Sequence, residues 1–352
     1  MAISSINRAV RGPAPQRLLI VDDSTVARAV LARAVSADAS FVVVGAVSTV
    51  ARALEFLAAE RVDVILLDLE LPGVGGLAGL PELLAAGQGA KVLIVSSLAG
   101  DGAASTVQAL ALGAADTLEK PGQGRSPAAF ARALIDKLVR LTETDQCAPR
   151  PLRALPLQRR GFDLVAIGAS TGGIHAIGSL LRALPRTFNA PIVVTQHLPR
   201  AFIPYFADQL HVITGRPCHV ATDRMAPIDG AIIVAPGDAH IVAVPLPRGR
   251  ATIRLSREPV PNGNLPSVDP MFASLADCYG ARLLAVILSG MGRDGIDGAM
   301  RVRACGGTIV AQDAATSVVW GMPGAVVRAG LADAVLPPDA IARLIAPPES
   351  VA

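Results

Sequence analysis

The chain has 352 residues, 51% apolar but only 3% aromatic. That length allows two or three domains with full cores, and the Ala/Val/Leu/Ile palette suits parallel sheets covered by helices. A net charge of +3 without a long Lys/Arg run excludes an obvious nucleic-acid stripe.

No apolar run reaches membrane-spanning length, and "MAISSINRAVRGPAPQR" lacks the apolar centre of a signal peptide. Four scattered cysteines, Cys147, Cys218, Cys278 and Cys305, show no CxxC spacing. They fit buried or idle thiols in a reducing compartment, so a cytoplasmic location is expected.

Residues 1–16 read as a flexible tail. From Arg17 the aliphatic runs "RLLIV", "FVVVGAV", "RVDVILLDL", "AKVLIVSS" and "AADTLEK" alternate with segments of helical apolar spacing such as "VARALEFLAAE". Five strands alternating with five helices predict a doubly wound parallel five-stranded sheet over residues 17–141. Residues 142–160, "TETDQCAPRPLRALPLQRR", are Pro/Arg-rich and aperiodic, and read as a linker. A second doubly wound α/β domain is expected over 161–350. Its strands are expected at "FDLVAIG", "APIVVTQ", "GAIIVAP", "HIVAV", "ATIRLS", "RLLAVILS" and "GGTIVAQ". The stretch "HIVAVPLPRGRATIRLS" reads as a β-hairpin, so a mainly parallel but mixed sheet is expected.

Function in such sheets gathers beyond the carboxyl ends of the strands. In the first half those ends carry Asp22 and Asp23 ("LLIVDDS"), Asp68 ("VILLDLELP"), Ser96 ("VLIVSS") and Lys120 ("DTLEKP"). Three carboxylates in one crevice repel each other unless a divalent cation joins them, and oxygen-only ligation points to Mg²⁺. Any one aspartate could instead cap a helix, for which "DDS" is a good sequence. The four features together, in order, resemble a two-component receiver domain over roughly residues 17–140. The resemblance implies that Asp68 is the phosphoacceptor and that Asp22, Asp23, Asp68 and the Glu70 carbonyl hold Mg²⁺. It makes Ser96 the switch hydroxyl and Lys120 the phosphate partner. Gly75 stands where many receivers carry Asp, and Thr117 where many carry a switch aromatic.

In the second half "VAIGASTGGIHAIGSLLRAL" reads as strand, glycine-rich turn and helix. Ser170 occupies the second glycine's place of a dinucleotide fingerprint, and no Gly-Lys-Ser/Thr follows to make a P-loop. The pattern G-x-S-x-G between strand and helix instead fits a nucleophile elbow, which lifts the Ser170 hydroxyl clear of the sheet. The next strand ends at His197, a candidate base, and "RLLAVILSGMGRDG" ends in a loop with Asp294, a candidate orienting acid. Asp269 and Asp297 are nearby alternatives to Asp294, which the glycine-rich loop favours.

The stretches "IGASTGG", "QHLP", "APGDAH", "PSVDPMF", "LSGMGRDG" and "AQDAATSVVWGMP" resemble the catalytic domain of the chemotaxis protein-glutamate methylesterase (CheB) family over nearly all of residues 161–350. The receiver-like half in front is that family's arrangement. The resemblance implies phosphorylation-regulated hydrolysis of glutamate methyl esters on chemoreceptors, by Ser170, His197 and Asp294. Met291 would supply an oxyanion-hole N–H, and glutamine deamidation is an expected second activity. Ester hydrolysis needs no cofactor. The expected partners are chemoreceptor cytoplasmic domains and a chemotaxis-type histidine kinase, with no nucleic acid, no membrane insertion and a monomeric state. The alternatives are a response regulator with a nucleic-acid-binding output, or a scaffold without chemistry.

Overall fold

The computed structural model describes residues 14–96, 102–120, 126–142, 161–247 and 250–346. Most of the expected tail, and the expected linker beyond Thr142, lie outside the described residues.

The N-terminal sheet is built from β1 (Gln16–Val21), β2 (Phe41–Val47), β3 (Val64–Leu67), β4 (Lys91–Ser96) and β5 (Asp116–Glu119), in the order β2-β1-β3-β4-β5. The helices are α1 (Thr25–Val35), α2 (Val50–Ala59), α3 (Gly76–Ala86), α4 (Gly102–Leu112) and α5 (Pro127–Thr142). In β1 and β3 both faces are covered: Leu18–Val21 and Val64–Leu67 are all buried. Such strands read as unbroken aliphatic runs rather than as alternation. The helices bury one stripe each, Val50, Ala53 and Leu57 on α2 and Phe130, Leu134, Leu138 and Leu141 on α5, the spacing that marks an amphipathic helix.

The C-terminal sheet holds β6 (Leu164–Ala169), β7 (Ile192–Gln196), β8 (Cys218–Val220), β9 (Ile232–Val234), β12 (Leu283–Ile287), β13 (Thr308–Gln312) and β14 (Ala334–Leu336). Its order is β14-β13-β12-β6-β7-β9-β8, parallel throughout. Helices α6 (Gly173–Ala183), α7 (Ile203–Thr214), α8 (Val268–Tyr279), α9 (Ile296–Ala304), α10 (Gly321–Arg328) and α11 (Pro338–Ile345) cover it.

The hairpin departs from expectation. Strands β10 (His240–Leu246) and β11 (Arg250–Ser256) pair antiparallel as a separate two-stranded sheet, so the large sheet is not mixed. The hairpin's apolar residues Ile241, Ala243, Ala251 and Ile253 are buried in one core with Met271, Phe272 and Leu275 of α8, and Ser274 Oγ accepts the Ala243 N–H at 2.9 Å. Helix α8, rather than a sheet edge, covers the hairpin. The edge strands β8 and β14 were not expected. At three residues each they are too short to show a period.

After β6 the chain moves to β7, whereas after β12 it moves to β13 on the other side. The gap between β6 and β12 is therefore a topological switch point, where crossover helices diverge and leave a crevice.

Candidate active site

Ser170 follows β6 directly. Its N–H donates to Ser289 O at 3.0 Å and its carbonyl accepts the Gly173 N–H at 2.7 Å. Gln196, the last residue of β7, adds a bond from Nε2 to the same carbonyl at 2.8 Å. The elbow backbone is thus tied to both neighbouring strand ends. Gly172 caps α6 with φ of 74°, and a Cβ there would lie 2.4 Å from Val318 Cβ and 2.8 Å from Ser289 Oγ. Only glycine fits that conformation and that space. Gly290 is held close for a similar reason, since a Cβ on it would meet Ser170 Cβ at 3.0 Å.

His197 follows β7, its N–H bonded to Ala169 O at 3.0 Å, and Asp294 lies in the loop between β12 and α9. The three residues come from the ends of β12, β6 and β7, which are consecutive in the sheet. His197 Nε2 lies 2.7 Å from Asp294 Oδ2. Neither alternative carboxylate takes this place. Asp269 Oδ1 instead accepts the Gly298 N–H at 2.8 Å, and Asp297 is exposed on the first turn of α9. Because Nε2 faces Asp294, Nδ1 is the ring nitrogen available to a serine proton, the reverse of the chymotrypsin arrangement.

Asp294 is 1% exposed, and such a carboxylate needs donors. Oδ2 also accepts the Val268 N–H at 2.8 Å. Oδ1 accepts Ser267 Oγ–H at 2.8 Å, Asn262 Nδ2 at 2.9 Å and the Asp269 N–H at 3.2 Å. Burial opposes its ionisation, but the hydrogen bond and charge of His197, with the Val268 and Ser267 donors, outweigh it and hold the carboxyl down at about 2. Asp269 beside it is pushed up to about 7 by burial; the Gly298 N–H opposes this and the charge of Asp294 adds to it. Asp294 is thus held in its charged form, whereas Asp269 keeps its proton far more readily.

At the N-terminal sheet, Asp22 and Asp68 follow the adjacent strands β1 and β3, Ser96 ends β4 and Lys120 follows β5. Lys120 Nζ donates to Asp68 Oδ2 at 2.6 Å and lies 2.9 Å from Asp22 Oδ2. Helix α1 is capped by Ser24, whose Oγ accepts the Ala27 N–H at 3.2 Å. The capping role therefore falls to the serine of "DDS". Arg28 Nη1 donates to the carbonyls of Asp22 and Asp23 at 2.6 and 2.9 Å. Thr106 Oγ1 gives its only proton to Gly102 O at 2.7 Å, so Ser96 Oγ donates in its 3.1 Å contact with Thr106. Thr117 lies on β5 and Gly75 caps α3 without a side-chain bond. Glu70 is exposed, and its N–H donates to Asp68 Oδ1 at 3.2 Å.

Burial pushes the Asp68 carboxyl up, against the pull of Lys120. Burial also works to strip Lys120 of its proton, but its hydrogen bond to Asp68 and its ion pair with Asp22 win and hold it above the usual lysine range. Lys120 thus serves two carboxylates, Asp68 and Asp22. Oxygens of Asp22, Asp23 and Asp68 fall within 4.8 Å of one another, and among the described residues the buried Asp22 Oδ2 has no aligned hydrogen-bond donor. An oxygen-only donor set with charge to spare fits Mg²⁺.

Residues 165–345 match the CheB methylesterase family, and residues 18–127 match the response regulator receiver domain. The chain belongs to the CheB methylesterase family. It is 41% identical over 340 residues to "Protein-glutamate methylesterase/protein-glutamine glutaminase 2" of Caulobacter vibrioides, spanning 94% of this chain and 98% of that protein. A similar protein of Paramagnetospirillum magneticum, "Protein-glutamate methylesterase/protein-glutamine glutaminase 1", is 38% identical over 374 residues, 96% of this chain and 98% of its own. Among solved structures, the Thermotoga maritima CheB methylesterase catalytic domain covers 53% of this chain and 97% of its own at 37% identity, with a TM-score of 0.51.

Sequence reasoning on this CheB-family chain missed residues that support the site. Ser267 and Asn262 bond Asp294, Gln196 holds the elbow, and His240 backs Ser267: its Nδ1 accepts the Ser267 N–H at 2.9 Å. The stretches "APGDAH" and "PSVDPMF" marked the resemblance but carried no role. The cue was "SVD" ahead of a helix, a capping pattern. Among the described residues no helix is long and apolar enough to cross a membrane.

Proposed function

We propose that this chain hydrolyses γ-glutamyl methyl esters on the cytoplasmic helices of chemoreceptors, releasing methanol, under control of phosphorylation at Asp68. The observation that carries the reading is the 2.7 Å His197–Asp294 bond at the sheet edge that also bears Ser170 on the adjacent strand end. Ser170 Oγ attacks the ester carbonyl while His197 Nδ1 takes its proton. The tetrahedral oxyanion collapses, the C–O bond to methoxide breaks, and His197 returns the proton so that methanol leaves. Water, deprotonated by the same imidazole, then attacks the acyl-serine and frees glutamate and Ser170. Asp294 holds the imidazole in its Nε2–H tautomer and stabilises the imidazolium. The Met291 N–H, which bonds no described residue, is the oxyanion donor we assign from the adjacent loop. A primary amide enters the same sequence with ammonia as leaving group, so glutamine deamidation is a second activity.

In the receiver, Asp68 accepts the phosphoryl group from a histidine kinase or a small donor. Asp22, Asp23, Asp68 and the Glu70 carbonyl would hold Mg²⁺, which when bound offsets the negative charge of carboxylates and phosphoryl group together. Lys120, already paired with Asp68, moves to a phosphoryl oxygen, and Ser96 exchanges its Thr106 contact for another.

The test is Ser170→Ala. Methanol release from methylated receptor should disappear in a variant with unchanged circular dichroism and intact Asp68 phosphorylation. Comparable turnover would remove Ser170 from the nucleophile's role.

A further inference from the structure

Asp294 is held by more donors than orienting one imidazole requires. Beyond His197 it takes the first two N–H groups of α8, Val268 and Asp269, at 2.8 and 3.2 Å. These are N–H groups that a helix cannot satisfy internally, at its positive end. Two side chains complete the set on Oδ1, Ser267 Oγ at 2.8 Å and Asn262 Nδ2 at 2.9 Å. Asn262 Nδ2 also lies 2.9 Å from Asp269 Oδ2 and 3.1 Å from Ser267 Oγ, so one amide stands between two carboxyl groups.

Ser267 is wholly buried and is itself fixed. Its N–H reaches His240 Nδ1 at 2.9 Å, and His240 Nε2 contacts Glu258 O at 3.0 Å. A carbonyl accepts only, so His240 is locked as the Nε2–H tautomer with its Nδ1 lone pair on Ser267.

We propose that Asn262 and Ser267 are positioning residues of the esterase, a clamp that fixes the Asp294 carboxylate toward His197 and keeps its charge apart from Asp269. This rests on the reading of Ser170, His197 and Asp294 given above, and it assigns a role to the "PNGNLPSVD" segment. The clamp acts through Asp294 and touches neither ester nor nucleophile. A charged carboxylate with fewer donors attracts the His197 proton more strongly, so loss of a clamp residue makes the imidazole a base that is harder to unload. Among the described residues, the titratable groups next to this pair are Asp269, whose N–H reaches Asp294, Asp297, whose charge acts on Asp269, and His240 behind Ser267, with Arg293 adjoining Asp294 in the chain. None of them changes in the variants used.

The experiment uses the full-length chain and methylated receptor, with kcat and KM measured from pH 5 to pH 9. Asn262 is exposed, so Asn262→Ala should fold as the wild type does by circular dichroism. Losing one charge-assisted hydrogen bond, it should lose about tenfold in kcat, with KM within about twofold. The acid limb of its kcat profile should move to higher pH. Ser267→Ala should do the same more strongly where it folds. An unchanged kcat in Asn262→Ala overturns the clamp. So does a lower kcat with an unmoved acid limb, because that is what a purely structural part would give. Ser170→Ala run alongside separates the two claims. Turnover that survives in it sinks the triad reading and the clamp together, whereas Ser170-dependent turnover with no shift in Asn262→Ala sinks the clamp alone.

Discussion

At the scale of single residues, the neighbouring carboxyl groups Asp294 and Asp269 are driven in opposite directions by what donates to them. Asp294 has His197, two helix N–H groups and two side chains, and stays charged. Asp269 has fewer, and burial with the charge of Asp294 pushes it up to about 7. An unfolded aspartate titrates near about 3.9. The folded state therefore holds the Asp269 proton more tightly than the unfolded state. This contribution to stability is greatest below about pH 4 and declines as pH rises through about 7. Asp269→Asn cannot ionise and escapes the decline. Its urea midpoint relative to wild type should therefore be more favourable at pH 8 than at pH 5. An equal difference at both pH values would show that Asp269 does not titrate in this range.

At the scale of elements, the elbow between β6 and α6 depends on one backbone conformation. Gly172 and Gly215 both have positive φ, 74° and 68°, but a Cβ on Gly215 would meet nothing within 4 Å. Gly215→Ala should lose only the left-handed penalty of about 1–2 kcal/mol. Gly172→Ala must also push Val318 and Ser289 aside, so its loss in urea denaturation should exceed that of Gly215→Ala, and methanol release should fall with it. Equal losses would mean that the neighbours yield freely. The G-x-S-x-G spacing made this elbow legible in the sequence, because a tight strand-to-helix turn needs small residues at fixed offsets. The neighbours that make alanine impossible there come from the distant segments around 289 and 318, which no local pattern announces.

At the scale of the whole molecule, a receiver sheet and a methylesterase sheet share one chain. Asp68 has its side chain against Lys120, with the carboxylates of Asp22 and Asp23 beside it. Asp68→Asn should therefore take up no label from a small phosphodonor with Mg²⁺, and its receptor esterase rate should no longer respond to that donor. Omitting Mg²⁺ should abolish labelling of the wild type equally. Label retained in the variant would move the acceptor elsewhere, for which Asp22 and Asp23 are the neighbouring choices.

Legible in the sequence alone were the two α/β halves and the placing of Ser170, His197, Asp22, Asp68 and Lys120 just beyond strand ends. Each of these follows from local rules: aliphatic runs make buried parallel strands, and their carboxyl ends open onto crevices. The glycine-rich loop already favoured Asp294 over Asp269 and Asp297, but the contact itself comes from packing of the β12–α9 loop against the start of α8, where Ser267, Val268 and Asp269 donate to Asp294 while His197 faces it. The tertiary structure also decided which imidazole nitrogen faces Asp294, that the β10–β11 hairpin packs on α8 instead of extending the sheet, and that Asn262, Ser267 and His240 converge behind the acid. Hydrogen bonds between residues dozens of positions apart depend on how the layers stack, and a chain read in one dimension carries no record of that.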